Sequence, residues 1–234
     1  MAVTGVVVGM KTEAACLAPL GAAVSVVCSG ARSEFARARA EALVAAGVTG
    51  LLSFGIAGAL VAGLAPGTLL LPRAVVVPGQ GGGEGAGRAV SASWHRRVAG
   101  LAAAAGLPLL TDVTLAGSDG AVTGAGAKAT LARTSGAAAV DMESHSAAEV
   151  AARHGLPFLI LRAIADPADR GIPAPALAGL GPDGETRPGA VALRLLAAPW
   201  TLPALLRLAA DSRSGLAALS AAVSALGPAG FRAL

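Results

Sequence analysis

Residues 137–170, AAAVDMESHSAAEVAARHGLPFLILRAIADPADR, constrain the fold more than any other stretch. A short apolar run, 137–140, ends in Asp141-Met142-Glu143. A helix-period segment follows over 144–154, closed by Gly155 in the place of a C-cap glycine. A second apolar run passes through Phe158, Leu159, Ile160 and Leu161 and ends at Asp166. The order is strand, helix, strand, the unit of a parallel sheet, with a carboxylate just beyond each strand. In open α/β sheets the ligand crevice lies outside the carboxyl ends of the strands. Glu143 and Asp166 therefore stand where a ligand would sit.

The rest of the chain repeats this grammar. Residues 3–8 are a short, Val-rich buried-strand pattern, and Gly9-Met10-Lys11-Thr12-Glu13 leads into a helix, which puts Glu13 just past a strand end too. Strand patterns over 22–28 and 48–54 flank a helix over 34–46 that ends at Gly47. Gly55-Ile56-Ala57-Gly58 reads as a glycine turn after the third strand, where main-chain N–H groups could approach a sugar or anion closely. A longer strand is expected over 68–77, with a bulge or edge at Pro72. A glycine-rich loop spans 78–87; no G-x-G-x-x-G register fits there. A helix over 91–105 carries Trp94 and His95, and a strand over 109–116 leads to a helix over 125–134. Residues 120–128 miss a P-loop, because Ala127 and not Gly precedes Lys128. After Asp166 five prolines mark a long loop, followed by helices over 190–197, 202–210 and 215–226. The expected organisation is one α/β domain over 1–234, with 171–234 a Pro-rich loop and helical extension.

Composition removes several classes. Aromatics are 3% with no Tyr, and the Arg residues are scattered singly, which argues against a nucleic-acid groove. Residues 42–72 carry no charge, long enough to span a bilayer, yet glycines and Pro66 punctuate them as strand, turn and helix. Lys11 and Glu13 interrupt the first apolar run and no basic n-region precedes it, so a signal peptide is not expected. Cys16 and Cys28, two isolated thiols, fit a reduced cytoplasmic protein. Asp141, Glu143 and His145 alternate, and helical spacing would splay them onto different faces, so no metal is expected. His145 and His154 read as helix-surface residues. Arg162 lies inside an apolar strand and must meet a buried carboxylate.

Three carboxylates at strand ends suit a cationic-sugar transition state. Cleaving a glycosidic bond needs an acid for the leaving group and a base or nucleophile opposite. A further carboxylate can accept hydrogen bonds from adjacent ribose hydroxyls. The segments Gly9-Met10-Lys11-Thr12-Glu13, Phe54-Gly55-Ile56-Ala57-Gly58, Val140-Asp141-Met142-Glu143 and Arg162-Ala163-Ile164-Ala165-Asp166, in this order and spacing, resemble the purine nucleoside phosphorylase and methylthioadenosine/S-adenosylhomocysteine nucleosidase superfamily. Asp166-Pro-Ala-Asp169-Arg170, Gly181-Pro-Asp-Gly184 and the Leu202-Pro-Ala-Leu-Leu-Arg-Leu-Ala209 segment look like its hopanoid-associated phosphorylase branch.

That resemblance implies a three-layer α/β sandwich with a central mixed sheet, and removal of adenine from adenosylhopane with water or phosphate as nucleophile. It implies no cofactor, phosphate being at most a co-substrate. Asp166 would match the acid that protonates adenine at N7, and Glu13 the carboxylate that activates water. Glu143 would hold the ribose hydroxyls with Met142 packing under the sugar. Gly55, Ile56, Ala57 and Gly58 would line the sugar or anion side, and main-chain groups near Val122 would face adenine. Ala165 and Ile56 replace serines of the family pattern, and Ala121 stands where an aromatic ring often stacks on adenine. The same family offers hydrolysis or phosphorolysis of soluble nucleosides as an alternative, and a non-catalytic nucleoside or lipid binder is the alternative from another class. Leu202, Leu205, Leu206 and Ala209 share one helical face after Trp200, which suggests either a peripheral contact with the inner membrane or packing on the core or another subunit. The family implies a homo-oligomer.

Overall fold

The structure, a computed structural model, describes residues 3–78, 87–179, 181 and 184–233. Eight of the ten residues of the expected glycine-rich loop, 79–86, lie outside the described residues, as do Pro182 and Asp183. Among the described residues nine strands form one mixed sheet. β1 (Thr4–Val8) lies between β2 (Val24–Cys28) and β3 (Gly50–Ala59), parallel to both. β4 (Leu69–Leu70), β5 (Ala74–Val76), β6 (Arg88–Ala89), β7 (Thr114–Gly117), β8 (Ala139–Asp141) and β9 (Phe158–Asp166) complete it. The sheet runs in the order β2-β1-β3-β8-β7-β5-β6, with β9 beside β3 and β4 beside β9.

Side chains alternate between two apolar layers, as a strand covered on both faces requires. Val6, Val8, Leu159 and Leu161 pack with Trp94, Leu219 and Val223 on one side. Val7 and Ile160 pack with Ala36, Ala40, Ala147 and Val150 on the other. The first layer is covered by α1 (Lys11–Cys16), α3 (Ala92–Ala104) and the end of α8 (Leu202–Phe231); the second by α2 (Ser33–Ala45) and α5 (Ser144–Arg153). This is the expected three-layer sandwich with a mixed sheet.

Four local expectations need correction. The glycine turn at 55–58 is strand, because β3 continues through to Ala59. The strand expected over 68–77 is broken at 71–73 into β4 and β5, which pair with different neighbours. β8 and β9 are not a parallel pair: β8 runs antiparallel to β3 and β9 parallel to it. The helices expected over 202–210 and 215–226 are one helix, α8, because Asp211-Ser212-Arg213-Ser214 is polar without breaking helical geometry. That helix is long and apolar enough to cross a membrane by length and composition. Its second half is core, with Leu219, Ala222 and Val223 fully buried and the Trp94 indole donating to the Gly230 carbonyl at 2.8 Å.

Candidate active site

The topology leaves a gap beside β3. β9 covers one edge of β3 from Leu51 to Gly58. On the other edge β1 pairs only as far as Ser53, and β8, arriving from the opposite direction, pairs only at Gly58 and Ala59. Residues 54–57 therefore face the place where the carboxyl ends of β1 and β8 meet head-on. Glu13 follows the first end and Glu143 the second, so two carboxylates distant in sequence converge there. An uncovered strand edge presents unpaired main-chain groups, and Glu13 takes one: Oε1 accepts from Ile56 N–H at 2.8 Å. Its Oε2 accepts from Gly9 and Met10 N–H at 2.8 and 2.9 Å.

Gly55 is required by space. A Cβ there would lie 2.6 Å from Arg162 Nη1 and would collide with the Glu13 carboxylate. Gly9 is similar, since a Cβ would stand 2.8 Å from Glu143 Oε1 and 3.4 Å from Glu13 Oε2. These glycines are visible in the sequence, but those of β3 serve close approach and not a turn.

Arg162 is fully buried and closes the cluster, as an arginine in an apolar strand must. Its Nη2 pairs with Asp141, meets Glu143 Oε2 at 3.2 Å, and donates to Ser53 Oγ at 2.6 Å and Ser144 Oγ at 3.3 Å. Asp141, Ser53 and Ser144 had no place in the expected site. Three buried carboxylates, those of Glu13, Asp141 and Glu143, thus surround one guanidinium. The charges do not balance, so the cluster must hold protons. Burial pushes Glu143 up to about 8 against the pull of Arg162, with Asp141 and Glu13 pushing the same way. Burial also raises Glu13, opposed by Arg162 and the three N–H donors.

Asp166 stands further along β3, beside Gly58, whose absent side chain leaves room for it: a Cβ would approach Oδ2 to 3.1 Å. The register skips Ala165 between Ala57↔Ile164 and Gly58↔Asp166. An extra residue of this kind bends its strand and re-aims the side chain that follows. Three residues of strand put Gly55 and Gly58 roughly 10 Å apart, the scale of a nucleoside.

Lys128, on α4 (Ala125–Ser135), is fully buried and pairs with Asp166 Oδ2; in the sequence it stands only as the lysine of a near-miss P-loop. The available signal was that Lys128 shares a helix face with Leu131 and Ala132, which pack on the core. Val122 is half-buried against Leu60, Ala116 and Val140, and its neighbour Thr123 accepts from Ile172 N–H at 2.8 Å. Met142 is half-buried beside Glu143. His145 is buried, a correction to its surface assignment: it faces Asp119 at 3.1 Å, away from the Arg162 cluster. His154 is exposed and meets Glu41 at 2.8 Å. A cavity of about 300 Å³ runs from Asp166 and Pro167 to Ala204 and Leu208 of α8. A larger one, about 460 Å³, lies apart from Glu13 and Asp166, against Arg37, Arg88, Asp119 and His145.

Residues 5–196 match the model of one family, the phosphorylase superfamily. The chain belongs to it. It is accordingly an enzyme that cleaves N-glycosyl bonds. Among solved structures it is similar to native futalosine hydrolase of Helicobacter pylori, at 19% identity and TM-score 0.69, over 95% of this chain and 97% of that one. The 5′-methylthioadenosine/S-adenosylhomocysteine nucleosidase of the same organism, in complex with a substituted pyrrolidin-3-ol, is similar at 20% identity and TM-score 0.69, over 95% and 98%. A putative nucleosidase of that kind from Francisella philomiragia is similar at 20% identity and TM-score 0.67, over 96% and 99%. At these identities the likeness establishes the fold. No curated protein matches the sequence.

Proposed function

We propose that this enzyme hydrolyses the N-glycosidic bond of an adenine nucleoside whose 5′ substituent is apolar, adenosylhopane being the candidate the sequence resemblance names. The observation that carries the reading is the pair of stations along β3, with Glu13, Glu143 and Arg162 beside Gly55 and Asp166 beside Gly58. Glu143 and Met142 take the ribose. A protonated carboxyl still accepts one hydroxyl and donates to the next, so Glu143 can grip a diol in either form. Gly55, Ile56, Ala57 and Gly58 form the strand floor, and main-chain groups near Val122 face the base. Asp166 gives a proton to N7 as the C1′–N9 bond breaks and its electron pair passes to the purine. Glu13 takes a proton from the water that attacks C1′.

Water is favoured over phosphate by charge. The site already holds three carboxylates against one guanidinium that pairs with two of them, and a phosphate dianion would add repulsion.

The apolar 5′ substituent is supported by the carboxyl-terminal region. α7 (Pro188–Ala197) buries none of its residues. Leu193 is 70% exposed, Leu196 81% and Trp200 75%, with Leu206 beyond them. Residues 188–210 contain Arg194 and Arg207 and no acidic residue, the composition of a helix lying at an anionic bilayer surface. A peripheral membrane contact here would bring a lipid-linked nucleoside to the cavity between Asp166 and α8.

Soluble substrates form the second reading, favoured by the likeness to structures of methylthioadenosine nucleosidase and futalosine hydrolase. Adenine release from adenosylhopane and from 5′-methylthioadenosine, each with and without phosphate, separates the two. Co-sedimentation with anionic liposomes, for the full chain and for Trp200→Ala, tests the contact; equal partition of both to the supernatant would remove it.

A further inference from the structure

The resemblance that assigns Asp166 says nothing of Lys128, yet the two form an ion pair at that end of the site. Burying an ammonium is costly unless its donors are satisfied. Here all three are: Nζ donates to Asp166 Oδ2, to the Pro167 carbonyl at 2.8 Å and to the Arg170 carbonyl at 3.0 Å. Asp166 Oδ1 has no hydrogen bond among the described residues and remains available to a ligand. Arg170, which carries one of those carbonyls, is held by its own pair with Asp211 of α8 at 2.8 Å. Asp169, Arg170, Arg207 and Asp211 are the other charged groups around this cavity.

The residue type is informative. The chain has 18 basic residues, and Lys11 and Lys128 are its only lysines. Arg's planar fork suits one carboxylate edge, whereas a compact ammonium can serve three acceptors spread around a point. The site around Nζ has the second geometry.

Resting on the reading of Asp166 as the acid, we propose that Lys128 is its positioning residue. It pins Oδ2 and the turn over 167–170 so that the proton-bearing Oδ1 faces the leaving base, and its charge steadies the Asp166 carboxylate that is left as the proton passes to N7. The effect is confined to leaving-group departure; the sugar is held elsewhere, by Glu143.

The test compares wild type, Lys128→Met and Lys128→Arg on two substrates with the same sugar. One is 5′-methylthioadenosine; the other carries 4-nitrophenol in place of adenine and leaves without needing a proton. Lys128→Met should lower kcat for adenine release on the order of a hundredfold, the scale of a misplaced catalytic group, with KM nearly unchanged. Nitrophenolate release should stay within about threefold of wild type, since the acid is not engaged in it. Lys128→Arg should recover part of the loss. Equal losses on both substrates would overturn the proposal and leave Lys128 a structural residue, as would no loss on either. A wild type that releases adenine from no nucleoside would instead defeat the functional reading. The crystal structure of Lys128→Met, or of Lys128→Gln if the first does not fold, then decides: a displaced Asp166 and 167–170 turn supports the proposal, and an unmoved one overturns it.

Discussion

The two ends of the site solve the same electrostatic problem differently. Beside Gly55, one guanidinium serves Glu13, Asp141 and Glu143, so negative charge is in excess and a carboxyl is driven to keep its proton. Beside Gly58, one ammonium serves Asp166 and two main-chain carbonyls, and the charges balance. The crowded end suits gripping hydroxyls and drawing a proton from water. The balanced end suits holding a single carboxylate in one orientation toward a base.

Replacing Asp166 by Asn should separate the ends most sharply. Loss of a positioned acid costs on the order of 10²–10⁴ in kcat, while nucleoside affinity, governed by the Glu143 end, should change little in calorimetry. A comparable loss of affinity would blur the distinction. Next in size is Arg162→Met, which leaves three carboxylates in an apolar strand environment without their cation. Breaking a buried pair costs about 3–5 kcal/mol, read as a lower midpoint in denaturant unfolding; an unchanged midpoint would mean the cluster is hydrated and the charge argument wrong.

Gly55→Ala should cost about 1–3 kcal/mol by overpacking and disturb Glu13 and Arg162 together, because the new Cβ would sit 2.6 Å from Nη1. Gly63→Ala, where nothing lies within 4 Å of the added atom, serves as the control for positive φ alone. The last effect is a slope. Burial raises Glu143 from 4.5 to about 8, so the folded state binds its proton more tightly than the unfolded chain does. Its contribution is fully present below pH 4.5 and is lost as pH rises toward and through 8. Glu143→Gln should flatten that part of the stability–pH curve; an identical curve would show that Glu143 is not the group holding the proton.

Much of this was legible in the sequence for definable reasons. Arg162 announced its pairing because a charge in FLILRAIAD has no other recourse. The strand-end positions of Glu13, Glu143 and Asp166 followed from apolar runs with clear ends. What was not legible was relative strand direction. Nothing in 137–170 states that β8 runs against β3, and that reversal creates the gap where Glu13 and Glu143 meet. Gly55 and Gly58 were visible, but a glycine needed for close approach looks like a glycine needed for a turn. Lys128 was obscured by a motif it nearly matches. α8 looks like two helices in the sequence because DSRS is locally polar, although the helix continues through it.

Adenine release in phosphate-free buffer, from adenosylhopane and from 5′-methylthioadenosine, by the wild type and by Asp166→Asn, bears most directly on the central claim. Free adenine from adenosylhopane without phosphate is the expected result, with its loss on the order of a hundredfold or more in the variant. No adenine from either substrate, with or without added phosphate, would contradict it.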